Sequence, residues 1–188
     1  MISHRITKYN PSKRKSDGSY SDQSEWTAIS DIGNPKYNSP TYEEYEATED
    51  AYVNAIILAL KEKNVDRLTI KDLELYNSKK DFDGFVKDGR LRNLTVDFNA
   101  EIKSLSNGDE LTIEEIAKIA RLILRETIWM NLESKRLTVI FGNDYYMYIS
   151  CEPLSKETTN DIESKGLFVE PEIKQRNVVL VDKDGNEF

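Results

Sequence analysis

Between Ala51 and Leu60 only Asn54 is polar, and this run most narrows what the chain can fold into. Just upstream, Pro40 suits the first turn of a helix, and Thr41 stands three residues before Glu44, the spacing of a capping box. Glu43, Glu44, Glu46, Glu49 and Asp50 then load the first turns with negative charge, where the helix dipole tolerates it best. A helix that becomes apolar on nearly all sides is buried. The pattern predicts a central helix over residues 41–63.

Thr112 opens a second long helix, again with Glu115 at capping-box spacing. Ile116, Ile119, Ala120, Ile123, Thr127 and Met130 recur at helical intervals, which predicts a helix running to about Glu133. Glu114, Lys118, Arg121 and Arg125 trace its opposite, polar face. Thr69 to Asn77 reads as a short capped helix and Ser78 to Gly89 as a charged loop. Leu91 to Phe98 alternates like a strand, and Asn107-Gly108 reads as a turn. Residues 155–164 suit a short helix, and 167–169 and 178–181 suit strands.

Leu137 to Ile149 predicts a β-hairpin with aromatics on its return strand. A three-residue loop, Gly142 to Asp144, pairs Phe141 with Tyr145. Leu137, Val139, Phe141, Tyr145, Met147 and Ile149 then share an apolar face, and Tyr146 and Tyr148 lie on the other. The first forty residues are rich in turn signals but carry Tyr9, Tyr20, Trp26, Ile29 and Ile32. They are expected to wrap over the core, with these large side chains as anchors. The fold expected is α+β and a single domain over residues 1–188: two long helices on a mainly antiparallel sheet, a turn-rich wrap at 1–39 and the core at 40–188.

Thirty-four acidic against 26 basic side chains give a net charge of −8. That balance argues against a nucleic-acid binder or docking on anionic lipid, and it suits encounter with a basic partner. No apolar run approaches the length needed to span a bilayer. One cysteine, Cys151, fits a reducing compartment, so a cytoplasmic location is expected. His4 is the lone histidine, near the N-terminus, which disfavours Ser-His-Asp chemistry and His-based metal sites. A Cys151–His4 dyad is weaker than the reading of Cys151 as an inert core thiol. The Asp-x-Asp-Gly runs at 81–84 and 182–185 lack the glycine and glutamate positions of a calcium loop and read as turns. No phosphate-binding loop, catalytic set, cofactor motif or metal-ligand set stands out, so no enzyme is expected.

Three segments carry a resemblance: Ile6-Thr7-Lys8-Tyr9-Asn10-Pro11, Glu25 to Gly33 and Phe141 to Tyr148. Together they resemble a family of small acidic bacterial proteins associated with immunity proteins of polymorphic-toxin or contact-dependent inhibition systems. The resemblance implies a protein that binds and neutralises a cognate toxin domain and does no chemistry of its own. The candidate contacts are Glu43, Glu44, Glu46, Glu49 and Asp50 as a charged set, with Tyr146 and Tyr148 as aromatic anchors. The alternative is a small-molecule pocket between the sheet and the second long helix, with Arg121 and Arg125 as inward polar anchors.

Overall fold

The computed structural model describes residues 1–16, 20–22, 24–75 and 78–170. The fold is α+β, with a seven-stranded antiparallel sheet and helices packed against one face. In chain order the elements are β1 (Ile2–Thr7), α1 (Tyr42–Glu62), β2 (Arg67–Leu75), α2 (Lys79–Lys87), β3 (Glu110–Thr112), α3 (Ile113–Leu124), β4 (Ile128–Glu133), β5 (Leu137–Phe141), β6 (Tyr146–Cys151), α4 (Lys156–Glu163) and β7 (Phe168–Glu170). Across the sheet the order is β3-β2-β4-β5-β6-β1-β7. The first strand of the chain therefore lies inside the sheet, between β6 and β7, and the residues expected only to wrap supply an internal strand.

α1 begins where the cap predicts: the Thr41 hydroxyl accepts from the Glu44 amide, and the Glu44 carboxylate accepts from the Thr41 amide. Between Ala51 and Leu60 its side chains are buried or half-buried, with Tyr52, Ala55, Ala59 and Leu60 fully covered. Inward residues of β4, β5 and β6 alternate with half-buried ones, so Met130, Leu132, Val139, Met147 and Ile149 meet α1, α3 and α4 in one core. Each such residue contributes about 1.5–3 kcal/mol of burial.

Several local expectations are overturned, each by a tertiary partner. Thr69 to Leu75 is strand β2, not a helix. Leu68 and Ile70 point into the core and pair with β3 and β4, while Asp72, at φ 52°, marks an irregularity in the ladder. Asn77 lies outside the described residues, as do the strand expected at 178–181 and the turn at 182–185. The Asp81–Gly84 run is helical, not a loop or turn. The Ser78 hydroxyl caps α2 by accepting from the Asp81 amide. Leu91 to Phe98 forms turns rather than a strand and leads into one π-helical turn, Phe98–Ile102, capped by the Asp97 carboxylate.

The second long helix stops at Leu124, nine residues early. Glu126 turns left-handed at φ 55°, and Ile128 to Glu133 becomes β4, paired to β2. Thr127 and Met130 had fitted the helical period, but strand pairing covers Met130 completely. The hairpin register also shifts. Gly142 stands opposite Tyr146, and Phe141 pairs with Met147, so the loop is Asn143 to Tyr145. A shift of two keeps both faces as expected. Its cause is Tyr145, whose ring packs among Trp26, Tyr45 and Tyr52 while its carbonyl accepts from the Tyr52 hydroxyl. A Cβ on Gly142 would lie 3.3 Å from both Tyr146 Cβ and Tyr148 Cε2, so a larger residue there would press on the return strand by a few tenths of an ångström.

One charged group joins the helices. Glu49 on α1 is 0% exposed and receives Arg125 in a fork, Nε to Oε1 at 2.6 Å and Nη2 to Oε2 at 2.8 Å. Arg121 donates to the same carboxylate at 2.8 Å. Arg125 also donates from Nη1 to the carbonyls of Arg90 and Arg92, at 3.0 and 2.6 Å. Burial alone would lower the Arg125 pKa, but its hydrogen bond to Glu49 and the Glu49 charge outweigh that and raise it. Removing one member of such a buried pair leaves an uncompensated charge, at a cost of about 3–5 kcal/mol. Arg125→Met is therefore expected to lower the unfolding free energy in denaturant by about that much, and Glu49→Leu with Arg125→Met should recover part of the loss. Additive losses in the double variant would contradict the pairing.

Candidate functional site

α1 begins at the end of the molecule where α3 finishes, because the Tyr45 hydroxyl donates to the Leu124 carbonyl and that of Tyr42 to the Arg92 carbonyl. At the same end β4 and β5 separate. They pair only at Leu132–Val139 and Glu133–Thr138, beside their connection, and then diverge. The gap is a cleft of about 650 Å³. Glu74 and Leu75 of β2, Ile128 and Trp129 of β4, and Phe141 to Tyr145 of the hairpin form its sheet side. Ile123, Leu124 and Glu126 close it from the end of α3, with Thr27 and Arg90 at its margin. The buried Asp31 carboxylate holds Thr27 in place by accepting from the amides of Thr27 and Ala28.

Three cleft residues sit in the left-handed region without being glycine: Glu126, Asp144 and Tyr145, at φ 55°, 56° and 61°. For Tyr145 this conformation is uncommon and strained. Tyr145 is 5% exposed, and burial first, then the neighbouring Tyr45, pushes its pKa well up. Its hydroxyl lies beside Tyr45 but has no hydrogen-bond partner of normal geometry among the described residues. Arg90 is already bound, by Asp88 at 3.1 Å and by Glu126 at 3.4 Å. Glu74 and Asp144 are exposed and make no ion pair among the described residues.

The residues singled out from sequence divide three ways. Glu43, Glu44 and Asp50 are exposed on α1 and Glu46 is half-buried, so these four remain at the surface. Asp50 holds Arg121 at 2.6 Å, and Glu46 accepts from the Asn93 amide at 3.1 Å. Glu49 is not on that surface: it points inward to Arg125, because the apolar side of α1 begins there. Tyr146 and Tyr148 are half-buried on the sheet face opposite the helices, so they do not join the α1 acids in one patch. Tyr146 is also engaged. Arg14 donates to its hydroxyl at 3.1 Å, the guanidinium groups of Arg5 and Arg14 lie 5.5 and 5.4 Å from its ring centroid, and Glu170 holds both arginines.

The anchors of the alternative reading are occupied as well. Arg121 and Arg125 serve Glu49 and Asp50 and do not line the cleft. Sequence reasoning missed Trp129, Glu74, Asp144 and Glu126. Trp129 had been placed at the end of a helix, Asp144 had been read only as a hairpin-loop residue, and Glu74 and Glu126 carried no motif.

His4 and Cys151 lie on one face of neighbouring strands, since Ile2 pairs with Cys151 and His4 with Ile149. His4 is 4% exposed, and neither ring nitrogen has a hydrogen-bond partner among the described residues. Burial pushes the Cys151 thiol up to about 11, and burial followed by the Lys63 charge lowers the His4 pKa. Both groups are thus held neutral, the reverse of an activated thiolate–imidazolium pair.

Compared with known proteins, the chain matches no family model, and no curated protein or solved structure matches it significantly. Among the described residues no helix is long and apolar enough to cross a membrane.

The lowered His4 pKa makes the unfolded chain take up the proton first as pH falls. Its contribution to stability is complete above the ordinary value of 6.5 and declines as pH drops from there toward the native pKa. The slope is at most about 1.4 kcal/mol per pH unit. Denaturant unfolding as pH is lowered from 6.5 should show this decline, and His4→Leu should flatten it. An unchanged slope in the variant would contradict the assignment.

Proposed function

We propose that the chain is an immunity-type protein that binds and neutralises a basic toxin domain in the bacterial cytoplasm, and that it acts by contact rather than by chemistry. The observation behind this reading is the charge arrangement at one end of the fold. Glu43, Glu44, Glu46 and Asp50 are carried there by the first turns of α1, and Glu74, Glu126 and Asp144 surround the adjoining cleft. Three arginines of the same region are committed to carboxylates, Arg125 to Glu49, Arg121 to Glu49 and Asp50, and Arg90 to Asp88 and Glu126, while Arg92 lies over the Tyr42 ring and is outnumbered by the acids. The surface presented to a partner is therefore acidic, which favours encounter with a basic domain and suppresses acidic competitors.

The aromatic anchors move in this reading. Tyr146 and Tyr148 are replaced by Trp129, a half-buried side chain that lines the cleft together with Glu74, Glu126 and Asp144. The alternative, a small-molecule-binding domain, is favoured by the cleft itself, whose volume falls within the range of ligand pockets. It carries over without Arg121 and Arg125.

The test uses the protein encoded immediately upstream in the genome. Glu43→Gln, Glu44→Gln, Glu46→Gln and Asp50→Asn together remove four charges, and glutamine at 44 can still close the capping box. At about 0.2–1 kcal/mol each, their loss should weaken affinity by about fourfold to several hundredfold and flatten its salt dependence. Unchanged affinity would discard this surface.

A further inference from the structure

We propose that the cleft where β4 and β5 diverge is a binding site for a small organic cation, a protonated amine or guanidinium on an aliphatic chain. This deepens the small-molecule reading of the cleft and is independent of the toxin reading.

Three kinds of group meet there. First, Glu74 and Asp144 contribute carboxylates with no ion-pair partner among the described residues, and Glu126 contributes one shared only loosely with Arg90, at 3.4 Å. Arg90 is held by Asp88 as well, so it does not neutralise the other two. An anionic ligand would meet repulsion at each of these carboxylates, and a neutral one would leave them unused. Second, Trp129 and Phe141 supply aromatic surface, which favours the methylene chain and, at the indole face, the cationic head. Third, the Tyr145 hydroxyl, on a residue 5% exposed that lines the cleft, lies beside Tyr45 but has no hydrogen-bond partner of normal geometry among the described residues. A buried hydroxyl left in that state accepts from a bound ammonium or guanidinium and recovers the bond it lacks.

The cleft is also built from framework. Its walls are the ends of β2 and β4, the hairpin turn, and the last turn of α3, which the buried Arg125 ties to α1. A site supported in this way needs little ordering on binding, which preserves affinity for a small ligand.

Agmatine, carrying both head groups on one chain, is the probe, with 1,5-pentanediol as its neutral counterpart and calorimetry as the measurement. Agmatine is expected to bind the intact protein at one site, and the diol to bind far more weakly. Glu74→Gln with Asp144→Asn should weaken agmatine by about tenfold or more. Asparagine suits the left-handed backbone at 144, so the variant should fold, as an unchanged thermal midpoint would verify. Glu43→Gln with Glu46→Gln, on α1 outside the cleft, should leave agmatine binding unaltered.

Equal weakening by the α1 variant would overturn the proposal in favour of diffuse charge attraction. Diol binding as tight as agmatine, insensitive to the cleft variant, would overturn the cation but keep a small-molecule site. Binding of neither would discard both. If only an arginine-containing polypeptide bound, and the cleft variant abolished it, the small-molecule source would fall and the cleft would belong to the protein partner.

Discussion

The fork between Arg125 and Glu49 is the interaction on which the arrangement of this protein turns. Two helices, α1 and α3, are joined by it at one end, and the spare donors of Arg125 capture the carbonyls of Arg90 and Arg92 from a third segment. A buried charge pair is weak evidence for stability in itself, because desolvation opposes it. Here it has a positional consequence. α3 stops at Leu124, the chain reverses through Glu126, and β4 starts beside the gap in the sheet. The end of α3 and the start of β4, two walls of the cleft, follow from where that arginine is held.

The same pair sorts the acids. Five carboxylates crowd the first turns of α1, and one of them, Glu49, turns inward at the point where the helix face becomes apolar. It neutralises Arg125 and shares Arg121, leaving Glu43, Glu44 and Glu46 outside with Asp50. The hairpin divides its aromatics in a comparable way. Tyr145 joins Trp26, Tyr45 and Tyr52 in the core, while Tyr146 is clamped between Arg5, Arg14 and Tyr9 on the far side of the sheet. Acidic surface and cleft thus occupy one end, and Tyr146 is spent on structure.

What could be read from sequence follows the range of the forces involved. α1 was legible because its cap and burial are local: Thr41 and Glu44 close the first turn, and an apolar run from Ala51 needs no knowledge of its partners. The faces of the hairpin were legible because a two-residue shift preserves strand parity, even though the loop moved by one position to place Tyr145 in the core. β2 and β4 were not legible. Their residues carry helix-compatible spacings, and only pairing with strands far along the chain decides against them. The cleft was invisible for the same reason, since Glu74, Trp129 and Asp144 come from three strands or turns and share no motif. Glu49 was misplaced because a single inward turn of a charged helix face depends on where Arg125 lies, 76 residues away.

The account rests on one end of the fold being the surface that receives cationic groups. Backbone amide chemical shifts, followed by NMR while a lysine-rich peptide is titrated in, test that most directly. Perturbations are predicted to cluster at residues 43–50, 74–75, 126–129 and 142–145, and to fade as salt is raised. Perturbations centred instead on the opposite end, at residues 62–65, 134–137 and 152–155, or on the sheet face around Tyr148, would contradict the account.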